Sequence, residues 1–426
     1  MSAGTAVLAR PAAADAAGVS RRRLTLDLVR RGRMEQAAEL SRAVLEEEPD
    51  GRRWLADEIV AGMEERDLAF AGDLATVLTG IERGSEWRPS WMGGRTRPLP
   101  DARLSLGKLR HDLAQFEHLR LLGVCDAPLD EIIPAYKAAI QRLSGLGANA
   151  RAPLTAEDER TVGRAFGRLV HVAEAQRVRR ALSPSWDRRC AERLYLARRP
   201  SVVVIDDFLT VEALQNLLRF CQDSTIWAGN RYARGRLSAL FFTGFNAPLI
   251  LQIAEEIRDA FPALIGDRHP LRQLWAFKNT GFLPPNTTIH ADFAAINVNF
   301  WITPDAANLD PASGGMIVYD LEAPLSWAFR QYNECPELIS RLIARHRPRA
   351  IRIPYQQNRA IIFNSDLFHA TEAVCFRPDY LGCRINVTML YGDRRLDEHH
   401  AEPEPAPDEA PASSAWRSAA FARRRR

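Results

Sequence analysis

His290-Ala291-Asp292 sets an imidazole and a carboxylate two residues apart, and His369 and Arg384 follow far downstream. On an extended strand, residues i and i+2 point to the same side. His290 and Asp292 would therefore face one partner while Ala291 faces away. Two histidines and one carboxylate are the donor set of a non-haem Fe(II) centre with open coordination positions. His369 is the candidate third ligand, because it follows the apolar run 359–363 and the turn Asn364-Ser365-Asp366. His346 competes with it but ends a basic helical stretch, where the negative end of the helix accounts for a histidine without a metal. Glu398-His399-His400 are adjacent residues in a tail and hold no fixed geometry.

Arg384 opens a cleanly alternating run to Tyr391, with Arg384, Asn386 and Thr388 on one face and Ile385, Val387 and Met389 on the other. A buried arginine requires an anionic partner, and its guanidinium grips a carboxylate through two parallel hydrogen bonds. A dicarboxylate cosubstrate supplies such a partner, with Asn386 or Thr388 as the assisting side chain. Lys278 is the alternative anchor, while Arg377 lies in the turn 376–379 as a solvated side chain. Asn297, Asn299 and Trp301 share a face; the two amides either orient a ligand or are satisfied groups in a barrel wall. Trp275 and Phe277 read as packing in preference to a substrate platform. Gly314-Gly315 permits a tight turn where backbone passes close to the pocket.

In this order, H-x-D, a long gap, H and then R resembles the Fe(II)/2-oxoglutarate-dependent oxygenase superfamily, in its prolyl-hydroxylase and phytanoyl-hydroxylase-like branch, over roughly residues 202–392. The resemblance implies a double-stranded β-helix with Fe(II) held by His290, Asp292 and His369. It implies 2-oxoglutarate chelated through its keto-acid end and fixed at the other end by Arg384, with Asn386, Thr388 and Asn299 in support. Related chains often carry Ser or Thr two residues after the arginine, where this one has Asn386, and the 15 residues from His369 to Arg384 are a long spacing. The implied reaction consumes O2, releases succinate and CO2, and hydroxylates an unactivated C–H bond of a peptide or protein side chain or of a small metabolite, with ascorbate in support. Retention of the carboxylate ligand disfavours halogenation. Segments 320–349 and 223–237 would cover the pocket and set selectivity. Two rival readings remain: a helical adaptor with a vestigial barrel, and a cupin-like metal enzyme that has no need of Arg384.

These residues need a scaffold. From Leu271 onward short apolar runs alternate with Gly, Pro and Asn punctuation: 271–279, 289–293, 296–302, 316–319, 350–353, 359–363 and 384–391. That pattern predicts a jelly roll or barrel. Before it, 202–205 reads as a buried strand leading into a helix capped by Thr210. The region 21–190 reads as helical. Its first hairpin, broken at Gly32 and stopped at Pro49, resembles a tetratricopeptide repeat and could hold a protein partner. Further helices are predicted at 54–81, 106–122, 128–143 and 155–181, the last with a Thr155-x-x-Asp158 capping box, and a shorter one at 337–345. The expected organisation is α+β: a disordered lead over 1–20, a helical region over 21–190, the jelly roll with flanking helices over 200–394, and a disordered tail over 395–426.

Composition narrows the functional classes. The 426 residues carry 57 basic and 53 acidic side chains for a net +4, with 46% hydrophobic and 26% charged residues. So mild a charge gives no nucleic-acid footprint, and no basic face interleaved with aromatics adjoins the candidate site. No apolar run reaches a membrane span, and six scattered cysteines without a C-x-x-C pair suit reduced thiols in a cytoplasmic protein.

Overall fold

The computed structural model describes residues 11–88, 103–147, 150–227, 229–231, 236–281 and 288–394. Four helices come first: α1 (Pro11–Arg30), α2 (Met34–Glu47), α3 (Gly51–Glu64) and α4 (Leu68–Arg83). A small unit follows, with β1 (Arg103–Ser105), α5 (Leu106–Leu122), α6 (Leu129–Arg142), β2 (Arg151–Pro153) and the short α7 (Ala156–Arg160). Next come α8 (Arg188–Ala197), β3 (Val202–Ile205), α9 (Val211–Asp223), β4 (Gly229–Arg231), β5 (Arg236–Leu240) and α10 (Pro248–Ala260). The remainder is β6 (Leu271–Asn279), β7 (Ile296–Trp301), β8 (Met316–Glu322), α11 (Pro336–His346), β9 (Ala350–Ile353), β10 (Ala360–Asn364), β11 (Leu367–Thr371) and β12 (Arg384–Tyr391).

Besides the antiparallel β1–β2 pair, the strands build two antiparallel sheets, a large one in the order β3-β10-β7-β12-β6-β5-β4 and a small one in the order β11-β8-β9. From β6 on, the chain passes repeatedly between them, and β12 slots between β6 and β7. This is the strand exchange of a jelly roll. Alternation along each strand sorts the residues into two layers. Val298 and Phe300 of β7 and Ile385, Val387 and Met389 of β12 face outward into a core shared with α9 and α10. On the inner side Trp301, Ile361 and Phe363 meet Met316, Val318, Ile353 and Leu367 of the small sheet.

Helices α1–α4 contribute to that same outer core: Ala37, Ala38, Leu55, Leu74 and Leu78 belong to one apolar cluster with Phe245, Leu251 and Ala276. The small residues at 37 and 38 are fully buried, as expected where two helices approach closely. Thr79 Oγ1 donates to the Phe242 carbonyl (2.9 Å) and Arg83 donates to the carbonyls of Gly167 (2.9 Å) and Thr243 (2.8 Å), tying α4 to the chain beyond. The unit holding α5 and α6 has its own core around Phe116, Tyr136 and Phe166. No described helix is long and apolar enough to cross a membrane.

Several expectations change. Residues 11–20, read as part of a disordered lead, form the first half of α1. The helix expected over 155–181 stops at Arg160, although its capping box forms with both hydrogen bonds. Beyond it come a 3-10 turn (Val162–Arg164) and further turns, and from residue 171 an irregular segment bonds to α10. Gln252 exchanges hydrogen bonds with the Val178 backbone (2.8 and 2.7 Å), and Glu256 accepts from the amides of Ala181 and Leu182. Helical periodicity is a weak prior against such tertiary bonds. The run 289–293 forms a single bridge rather than a strand, and the histidine expected after the turn 364–366 lies on a further strand, β11. Strands β4 and β5 were not foreseen. The rest of the expected lead (1–10) and the tail from 395 lie outside the described residues.

Candidate metal centre

The two histidines meet because their backbones pair. His290 N–H donates to the His369 carbonyl (3.0 Å) and His369 N–H to that of His290 (2.8 Å), an antiparallel bridge that sets the imidazoles side by side with ring centroids 4.5 Å apart. Asp292 N–H continues along the same edge to the Ser365 carbonyl (3.1 Å). Ala291 is buried on the opposite side against Tyr332, Ile339 and Phe368, the parity anticipated for H-x-D. One ligand atom from each of His290, Asp292 and His369 lies within 4.8 Å of the others. The His369 Nε2 to Asp292 Oδ2 distance is 3.5 Å and that from His290 Nε2 to Asp292 Oδ1 is 3.9 Å.

The hydrogen bonds around the triad fix which atoms it offers. Each Nδ1 lies 3.0 Å from a carbonyl oxygen, that of Thr288 for His290 and that of Leu367 for His369. A carbonyl only accepts, so both Nδ1 atoms carry the proton and Nε2 is the atom turned to the centre, the usual outer-shell arrangement of metal-bound histidines. Asn297 Nδ2 donates to Asp292 Oδ2 (2.7 Å), leaving Oδ1 for a ligand bond. Burial raises the Asp292 pKa; with the two imidazoles protonated, a hydrogen bond and charge from His369 and the charges of His290 and Arg236 outweigh it and hold the group at about 2. An ionised carboxylate and two inward Nε2 atoms converge and call for a cation between them. They fit one first-row metal held on a single side, with further positions open.

A polar row runs inward from this centre. Asn299 Nδ2 donates to Asn297 Oδ1; Asn299 Oδ1 in turn accepts from Asn386 Nδ2 (2.9 Å) and Thr388 Oγ1 (2.8 Å). Because Asp292 can only accept, the orientation of each amide in turn is set from the metal end. The amides at 297 and 299 are thus satisfied within the barrel wall. Removing the first link has a defined consequence: Asn297→Ala is expected to weaken metal binding about 10–100-fold without unfolding the chain, measured by Co(II) titration against circular dichroism.

Arg384 stands in the next row of β12, fully buried. Its Nε donates to the Gly314 carbonyl (2.7 Å) and one terminal nitrogen to Asn279 Oδ1 (3.1 Å), while the other terminal nitrogen is buried without a partner. Trp301 and Tyr355 place their rings 5.5 and 5.8 Å from the guanidinium carbon. Burial pulls the Arg384 pKa down to about 10, so the group stays charged at neutral pH. Gly314 reaches it through a positive φ of 78°, and a Cβ on Gly315 would stand 2.1 Å from the Ile353 carbonyl oxygen, which accounts for the double glycine.

The alternatives separate on geometry. Lys278 pairs with Ile385 in register and lies on the other face of the sheet, buried between the rings of Trp227 (4.4 Å) and Tyr380 (4.3 Å), so it does not substitute for Arg384. Exposed Arg377 pairs with Asp379 (3.2 Å). His346 is exposed in the last turn of α11. The expected cover, 320–349, packs instead behind the metal-binding edge: Trp327, Phe329 and Tyr332 lie against Ala291 and Phe368. Arg394 fastens it, donating to Asp366 and to the carbonyls of Trp327 (3.2 Å), Ala323 (2.6 Å) and Pro324 (2.7 Å). Arg394→Ala is expected to cost about 3–5 kcal/mol and to lower the denaturation midpoint. An unchanged midpoint would show that the segment is held by its apolar contacts alone.

Register places further side chains on the same face as Arg384. Trp275, Phe277 and Asn279 of β6 fall in register with Thr388, Asn386 and Arg384, and all three are half-buried, whereas Leu274, Ala276 and Lys278 between them are fully buried. Arg236 pairs with Asn279 from β5 and lies 4.1 Å from the centroid of the Phe277 ring. The alternation in 271–279 was the available signal, but it became informative only once the register with β12 was known.

No protein-family model matches the sequence, and no curated protein matches it. Among solved structures, it is similar to the non-haem alpha-ketoglutarate-dependent epimerase SnoN of nogalamycin biosynthesis: 14% identity, 51% of this chain and 94% of that one, TM-score 0.36. It is similar to EctD from S. alaskensis, with 14% identity, 55% and 90% coverage and a TM-score of 0.36. A Pseudomonas putida prolyl-4-hydroxylase gives 10% identity, 49% and 100% coverage and a TM-score of 0.33. At such identities and scores the likeness decides nothing about this chain; the geometry of its own residues does.

Proposed function

We propose that the chain is an Fe(II)- and 2-oxoglutarate-dependent dioxygenase that hydroxylates an unactivated C–H bond. One observation carries the reading. A two-histidine, one-carboxylate centre with both Nε2 atoms turned inward is linked by the row 292–297–299–388 to the strand of a buried arginine that has an unpartnered donor. His290, Asp292 and His369 would hold Fe(II), and Arg384 would take the far carboxylate of 2-oxoglutarate, with Asn386 or Thr388 beside it. Bound iron supplies oxygen activation coupled to oxidative decarboxylation of the cosubstrate to succinate and CO2. The chain's own residues keep the carboxylate ionised, fix the imidazole tautomers and exclude water from the inner face. Arg384 favours this reading over a cupin-like enzyme, which would leave a buried cation without use.

The test is an anaerobic titration of purified protein with Fe(II) and 2-oxoglutarate, followed by succinate and oxygen-uptake measurements in air with ascorbate. A visible charge-transfer band and succinate formation, both lost in His369→Ala, are the expected results. Absence of the band in the wild type would overturn the proposal and leave a non-catalytic or differently metallated barrel.

A further inference from the structure

We propose that the Trp301 indole N–H, and neither Asn386 nor Thr388, is the second donor to the far carboxylate of the cosubstrate. The proposal rests on the dioxygenase reading for the identity of the ligand and on the hydrogen bonds of the inner face for the residue. Asn386 has no donor left to give. Its two amide hydrogens go to Asn299 Oδ1 (2.9 Å) and Thr388 Oγ1 (3.0 Å). What remains is Oδ1, buried and without a hydrogen-bond partner, and an acceptor beside a carboxylate repels it. The single hydrogen of the Thr388 hydroxyl goes to Asn299 Oδ1 (2.8 Å), so that side chain offers no donor either. Tyr355, whose ring also lies by the guanidinium, donates its hydroxyl hydrogen to the Thr303 carbonyl (2.5 Å).

Two buried donors near the guanidinium carbon then stand without partners: the second terminal nitrogen of Arg384 and Trp301 Nε1. Unpaired in the interior, both are destabilising until a ligand accepts from them. Trp301 pairs in register with Asn386 and is fully buried, its ring 5.2 Å from that of Tyr355 and tilted at 32°. The Arg384 guanidinium carbon lies 5.5 Å from the Trp301 ring centroid. An oxygen accepts from a nitrogen about 2.9 Å away, so the two oxygens of one carboxylate span both donors at that separation. Trp275 also carries an unpartnered indole N–H, but it pairs with Thr388. That row is four residues along β12 from Arg384, or about 13 Å, beyond the reach of the same carboxylate.

The probes are 2-oxoglutarate and 2-oxopentanoate, which carries a methyl group in place of the far carboxylate, added to the full chain loaded with diamagnetic Zn(II). Affinities are read by calorimetry, and the indole N–H groups by heteronuclear NMR of labelled tryptophan. In the wild type, one indole resonance should move downfield with 2-oxoglutarate and stay in place with 2-oxopentanoate. The same resonance should be the one missing from Trp301→Phe. That variant keeps an aromatic ring and removes the donor. It should raise the dissociation constant of 2-oxoglutarate about tenfold, in line with one hydrogen bond to a charged group, and leave that of 2-oxopentanoate unchanged. Should the variant not fold, Trp275→Phe identifies the resonance by exclusion, since the moving one must survive in it. Equal weakening of both keto acids, an unchanged 2-oxoglutarate affinity, or no moving indole resonance in the wild type would each overturn the proposal. The dioxygenase reading is judged separately by the Fe(II) charge-transfer band. A band with a static Trp301 resonance removes the second donor alone; no band, with glutarate moving that resonance in metal-free protein, removes the reaction and leaves the two-donor anion site.

Discussion

Replacing Arg384 by methionine is expected to raise the dissociation constant for 2-oxoglutarate by at least about thirtyfold while leaving metal binding in its absence unchanged. Truncating one partner of a buried, hydrogen-bonded charge pair costs about 2–5 kcal/mol, and Arg384 is a fully buried cation with one terminal nitrogen that has no hydrogen-bond partner. A thermal-shift assay gives an independent reading. Ligand at a hundred times its dissociation constant should stabilise the wild type by about 2.7 kcal/mol, and the same concentration should add far less to the variant. The pH dependence has a defined sign. Because Arg384 is held near 10, affinity should stay level through neutral pH and fall as pH rises past that value and the guanidinium loses its charge. Wild-type affinity in the methionine variant would exclude Arg384 as the anchor.

Asp292→Asn is expected to abolish metal binding and turnover without unfolding the chain. Asn297 Nδ2 is a donor and requires an acceptor at position 292. The new amide must therefore give its oxygen to Asn297 and turn its NH2 toward His290 and His369. Their inward Nε2 lone pairs would then accept from the amide, and the site would close on itself. Co(II) absorption bands and calorimetric Fe(II) binding should vanish while circular dichroism stays native; Co(II) bands of wild-type intensity would sink the assignment. In the wild type, Asp292 contributes stability that is full above its unfolded value of about 3.9 and is lost as pH falls through about 2. The carboxylate should therefore remain ionised throughout mild acidification.

Much of the site was legible before the fold, because period-two geometry is local. H-x-D puts two ligands on one side of any extended segment, and the run 384–391 declares which of its residues share a face. The strands at 271–279, 296–301, 350–353 and 384–391 follow from β-branched and aromatic runs bounded by turn residues, and they appear nearly as expected. The capping signals at Thr155 and Thr210 also act within a few residues, and both bonds form.

Whatever depended on a partner distant in sequence was not legible. Helical periodicity over 155–181 lost to hydrogen bonds from Gln252 and Glu256, some 75 residues away. The side chains of β6 gave no indication of which face would meet Arg384. Register decided that Lys278 goes to the helical side and that Trp275 and Phe277 share the face of Arg384. His369 could be nominated from sequence, but only its backbone exchange with His290 and the carbonyl beneath each Nδ1 make the two imidazoles a ligand pair. The sequence by itself thus determined the donor types and their parity along each strand, since both are set by covalent geometry. Tertiary structure alone decided which strands face one another and how each polar atom is satisfied, since these depend on pairing across tens of residues.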